Sequence, residues 1–133
     1  MVVLCVDTNI IVLFGLKRKI HRIIPGARVF TCGRTEEALK KARENGCDVL
    51  ITEIDLGREK EEGILLAEAV KKMNPHVTII FMTAGFVRDY AQRLVKVRYS
   101  GVLTKPFNIE ELKDELDNLR YQQPYTDLEQ SEA

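Results

Sequence analysis

Short, continuous apolar runs rich in β-branched residues alternate along this chain with longer segments whose apolar positions recur at helical spacing. Val2 to Val6 (VVLCV) reads as a strand buried on both faces. From Asn9, a good N-cap residue, Leu13, Leu16, Ile20, Ile23 and Ile24 fall on one helical face, and Pro25-Gly26 ends that helix. A short strand is predicted at Arg28 to Thr31, then a helix capped by Thr35 and stopped by Asn45-Gly46. Asp48 to Thr52 gives a third strand, and the charged stretch from Gly57 to Glu62 a solvated loop. Ile64 to Met73 reads as a helix stopped by Asn74-Pro75. Val77 to Met82, Phe86 to Val97 and Ser100 to Leu103 follow as strand, helix and strand. Asn108 caps a last helix with Ile109, Leu112, Leu116 and Leu119 on one face.

Five β-α units without an internal repeat imply an α/β domain, a parallel sheet with helices on both faces. The expected domain covers residues 1–119, and the polar segment 120–133, which contains Pro124, is expected to be a disordered tail. In such sheets a site forms beyond the carboxyl ends of the strands, near the topological switch point. Those ends carry Asp7, Thr8 and Asn9 after strand one and Glu53 and Asp55 after strand three. Thr83-Ala84 follows strand four, and Thr104-Lys105-Pro106-Phe107 follows strand five. Acids there suit a hard cation such as magnesium, while a threonine and a lysine suit the oxygens of a phosphoryl group. Singly, each residue has an ordinary reading as a helix cap, a strand-end acid, a turn hydroxyl or a solvated lysine. Their joint placement at four strand ends is what points to a site.

Composition narrows the classes. The 133 residues suit one domain. Lys and Arg number 20, as do Asp and Glu, so no basic excess speaks for direct nucleic-acid binding. Cys5, Cys32 and Cys47 are odd in number and lack CxxC spacing, which suggests reduced thiols and a cytoplasmic setting. The apolar start has no basic leader and no run approaches a membrane span, so neither a signal peptide nor membrane association is expected.

The segments DVLITEIDLG (Asp48 to Gly57), FMTAG (Phe81 to Gly85) and GVLTKPFNIEEL (Gly101 to Leu112), in this order and spacing, resemble the receiver domain of bacterial two-component response regulators. The resemblance spans roughly Val2 to Leu119. It implies a flavodoxin-like five-stranded parallel sheet, order 2-1-3-4-5, and a signalling module rather than an enzyme. It also implies a protein partner, either a sensor kinase or a downstream effector. Carried onto this chain, Glu53 stands where the phosphoacceptor aspartate belongs. Asp7 matches the first acid of the metal-binding pair, and Thr8 replaces the second. Thr83 and Lys105 match the residues that sense the phosphoryl group, Lys105-Pro106 is a candidate cis bond, and Val102 replaces the usual switch aromatic.

These departures all weaken phosphoryl chemistry. Glu53 is one methylene longer than aspartate and puts negative charge where a phosphoryl group would lie. Thr8 removes an anionic ligand, so no cofactor is expected to be required, with magnesium held at most weakly through Asp7. Asp55 would replace a lost ligand only by turning inward. The expected function is a receiver that acts independently of phosphorylation, by protein-protein interaction. Two alternatives stand beside it. One is a receiver still able to accept phosphate, on Asp55. The other is a magnesium-dependent ribonuclease, because VDTNIIVLF (Val6 to Phe14) also resembles the opening of PIN-domain nucleases. On the first helix, LKRKIHR (Leu16 to Arg22) is read as a solvated basic face or a docking patch for an acidic partner. The apolar run Ile10 to Phe14 suggests a partner surface or a homodimer contact. His21 and His76 have no ligand-like spacing.

Overall fold

The computed structural model describes residues 1–57, 61–85, 90–95 and 97–118. The segment 120–133, expected to be a tail, and part of the expected fourth helix lie outside them. Five strands, β1 (Val2–Val6), β2 (Arg28–Cys32), β3 (Val49–Glu53), β4 (Thr78–Thr83) and β5 (Gly101–Thr104), form one sheet in the order β2-β1-β3-β4-β5. Every pairing in it is parallel. The helices are α1 (Ile10–Ile23), α2 (Thr35–Asn45), α3 (Glu62–Met73), α4 (Ala91–Leu94) and α5 (109–118).

Because both faces of a parallel sheet are covered, alternate residues of each strand feed two separate cores. Leu4, Val6, Leu50, Ile79 and Phe81 pack with Ala38 and Ala42 of α2, Leu66 and Val70 of α3 and Leu94 of α4. Val3, Cys5, Ile51, Ile80 and Met82 pack instead with Leu13, Leu16 and Ile20 of α1 and Leu112 and Leu116 of α5. Helices α1 and α5 therefore share one face, and α2, α3 and α4 the other.

The expected caps are mostly present. Asn9 accepts from the Ile11 N–H at 2.9 Å. Asn108 and Glu111 bond reciprocally as a capping box, 2.9 and 3.4 Å. Gly46 ends α2 with φ of 75°. Thr35 does not cap α2. It is the first helical residue, Arg34 stands at the cap, and the buried Thr35 hydroxyl has no hydrogen-bond partner.

Four strands end one residue further than their apolar runs suggest, β2 on Cys32 among them. β3 ends on Glu53, β4 on Thr83 and β5 on Thr104 because the ladder continues, with the Ile54 N–H donating to the Met82 carbonyl and the Lys105 N–H to the Thr83 carbonyl. The fourth helix does not extend to Val97 as expected. Among the described residues it covers Ala91–Leu94, and Val97 lies beyond it, buried and closing a tight turn onto the Leu94 carbonyl.

Candidate functional site

The strand order reverses between β1 and β3, so the chain leaves these neighbouring strands in opposite directions and opens a crevice at their carboxyl ends. Asp7 leaves β1 into this crevice and is buried, and its Oδ1 accepts from the Asn9 N–H at 2.8 Å. Its Oδ2 meets the Lys105 ammonium at 2.6 Å. The same Lys105 Nζ lies 3.1 Å from Glu53 Oε1. Glu53 Oε2 accepts from the Thr8 hydroxyl at 3.3 Å and the Thr8 N–H at 3.4 Å. Two carboxylates thus converge on one ammonium, and the extra methylene of Glu53 lets its carboxylate span from Lys105 to Thr8.

Burial by itself would lower the pKa of Lys105. The hydrogen bonds and negative charge of Asp7 and Glu53 outweigh it and hold the ammonium above its ordinary value. Lys105 is therefore the charged, central member of the cluster, joined to Pro106 by a cis peptide bond.

The remaining expected site residues lie apart from this clamp. Thr83 is buried at the end of β4, where its hydroxyl accepts from the Gly85 N–H at 3.0 Å. Val102 is half-buried, paired with Phe81 across β4 and β5 and packed on the α2-α3-α4 face. Asp55 does not turn inward. One of its oxygens accepts from the Glu61 N–H and the other from the Tyr90 hydroxyl, each at 2.8 Å. Both of its oxygens are engaged by groups outside the Lys105 clamp. Tyr90 was not legible as a site residue, since nothing in its sequence neighbourhood pairs it with an acid 35 positions earlier.

The β3-α3 connection is pinned from both ends. Glu61 adopts a left-handed conformation, φ 71° and ψ 20°, which costs a non-glycine residue about 1–2 kcal/mol. Its N–H bond to Asp55 and its ion pair with Arg93 offset that cost. At the start of α3, Gly63 donates to the Ile54 carbonyl at 2.8 Å, and a Cβ there would fall on the Glu53 carbonyl oxygen. The strand carrying Glu53 is thus held in direct backbone contact with α3.

A parallel five-stranded sheet in this order, with a lysine, acids and a hydroxyl at its carboxyl edge, defines the flavodoxin-like class that hosts phosphoryl-responsive signalling domains. The response regulator receiver domain family matches residues 3–117, and the chain belongs to that family, a module of two-component signalling. Receiver domains exchange signals with kinases or effectors. The chain is 31% identical over 77 residues to the transcriptional regulatory protein RprY of Bacteroides fragilis, covering 58% of this chain and 32% of that protein. It therefore spans about a third of that relative's length. Among solved structures it is similar to the chemotaxis protein CheY4 of Vibrio cholerae, with a TM-score of 0.78 and 27% identity, over 89% of this chain and 97% of that one. It is likewise similar to a Burkholderia pseudomallei response regulator containing a phosphorylated aspartic acid and a calcium ion. There the TM-score is 0.76 and the identity 26%, over 96% of this chain and 74% of that one. The ribonuclease alternative fails with this membership, since the later strand ends carry Thr83 and Lys105 where a nuclease needs acids. No helix among the described residues is long and apolar enough to cross a membrane.

Proposed function

We propose that this receiver works without phosphorylation, with Glu53 as a resident anion in place of a transferred phosphoryl group, and that it acts by binding a protein partner. The observation that carries this reading is the engagement of Lys105 by Glu53 at 3.1 Å and by Asp7 at 2.6 Å. The cation that would receive a phosphoryl oxygen already has two partners, and Thr8 occupies the second Glu53 oxygen. The clamp also leaves Thr83 bonded to Gly85, so the resident carboxylate takes over the contact with Lys105 and leaves the hydroxyl's local bond intact.

The donor set does not fit the family's metal. Magnesium demands near-octahedral oxygen coordination. Here an ammonium sits between the two carboxylates, and Thr8 contributes a neutral hydroxyl where a second acid is needed. Among the described residues no group of three His, Cys, Asp or Glu side chains converges as metal ligands would. The free cysteines, all buried, fit a reducing cytoplasmic setting.

The face of α1 supports the partner reading. Ile10, Ile11 and Phe14 are exposed, at 66%, 77% and 66%. They are followed by exposed Lys17, Arg18, His21 and Arg22, and the helix contains no acid. Beside it a groove of about 270 Å³ runs between Ile11, Gly15 and Lys19 on α1 and Pro106 and Phe107 after β5. A kinase or effector surface with apolar contacts flanked by acids matches this combination. Titration with magnesium and then beryllofluoride, followed through the amides of Glu53, Thr83 and Lys105, tests the loss of phosphoryl chemistry. No saturable shift is expected at millimolar concentrations, and saturable shifts spreading from the pocket would overturn the reading.

A further inference from the structure

The connection after β3 and the start of α4 are joined by a closed ring of four residues. Asp55 accepts from the Glu61 N–H through one oxygen and from the Tyr90 hydroxyl through the other. The Glu61 carboxylate pairs with the Arg93 guanidinium. The Arg93 N–H donates to the Tyr90 carbonyl at 2.9 Å, which closes the ring. Tyr90 and Arg93 are three residues apart, so both ties reach α4 from one side.

The Tyr90 ring also borders the pocket. A Cβ on Gly85 would meet Tyr90 Cε2 and Thr83 Oγ1 at 3.6 Å each. The half-buried ring packs on the same core as α2 and α3. Asp55 is two residues beyond Glu53, so a displacement at the end of β3 moves the carboxylate that holds the tyrosine. Val102 has neither a polar atom nor an aromatic ring with which to make such a tie.

We propose that Tyr90 is a positioning residue that couples the state of the Glu53 pocket to α4, with Asp55 as its anchor. The hydroxyl-carboxylate bond is charge-assisted and directional, and it ends on the residue at the N-cap of α4. Tyr90 thereby fills the role left open by valine at position 102. The coupling rests on the reading of Glu53 above only in that Glu53 is the group perturbed to detect it.

Amide spectra of the wild type, Glu53→Gln, Tyr90→Phe and the double variant test this, because phenylalanine keeps the ring and its packing. Glu53→Gln is expected to shift the amides of Ala91 to Leu94 in the wild-type background. In the Tyr90→Phe background that response falls about fivefold, while the response at Thr8 and Lys105 persists. Asp55→Ser leaves an oxygen for the Glu61 N–H but is too short to reach Tyr90, and the same loss is expected there. An undiminished α4 response in either background overturns the coupling, as does a Glu53→Gln response confined to the pocket. Beryllofluoride binding would overturn the resident-anion reading while leaving this comparison intact, so the two failures are distinguishable.

Discussion

Lys105 keeps 16% of its side chain exposed, whereas the Asp7 side chain has none. Losing the ammonium would therefore strand Asp7 more severely than losing either acid would strand the lysine. Lys105→Met, which preserves length and packing, is expected to cost about 3 kcal/mol at neutral pH, the low end for an uncompensated buried charge. The pH dependence has a fixed sign. A lysine whose folded pKa is raised contributes stability that is complete below its unfolded value of 10.5 and is lost as pH rises through the folded value. Urea denaturation of wild type and variant should show a constant gap from neutral pH to 10.5 and a narrowing gap above it. A gap that closes under mildly alkaline conditions would mean that the clamp does not hold the charge. Asp7, Thr8, Glu53 and Lys105 were legible in the sequence because strand ends of a parallel sheet converge whatever the loops do. The outward turn of Asp55 was not, because it depends on a hydroxyl 35 residues away and on the left-handed turn at Glu61.

Among the elements, α3 is the one whose sequence is tied most closely to the site. Alanine at position 63 would gain about 1 kcal/mol of helix propensity, but its Cβ would meet the carbonyl of Glu53, a strand atom that cannot rotate away. The steric effect should win, giving a net loss of about 2 kcal/mol for Gly63→Ala in urea denaturation. A stabilised variant would show that α3 slides freely over β3. Element type and order were readable throughout, since the runs VVLCV and VLITE and the 3.6-residue periodicity of α1 are unmistakable. Boundaries were less so. Ladder hydrogen bonds carried Glu53 and Thr83 into their strands, and beyond α4 the buried Val97 closes a tight turn onto the Leu94 carbonyl instead of continuing the helix.

For the whole molecule, the two cores explain why three thiols coexist without forming a site. Cys5 faces the α1-α5 core, and Cys32 and Cys47 face the other. Burial pushes the Cys32 thiol up to about 11 and the Cys47 thiol up to about 12, and raises Cys5 still further. The folded protein should resist Ellman's reagent at mildly alkaline pH and release all three thiols on denaturation. Rapid reaction of one thiol in the native state would show that a core opens. The order of the sheet was legible only through the receiver resemblance, because alternation specifies parallel β-α units but not which strands become neighbours.

A phosphoryl group on an aspartate is a clock, since it hydrolyses and returns the domain to rest. A carboxylate written into the chain at position 53 and clamped by Lys105 has no such lifetime. Under the proposed reading, the message would be set by how much of the protein the cell makes and destroys, and its duration by turnover of the polypeptide itself.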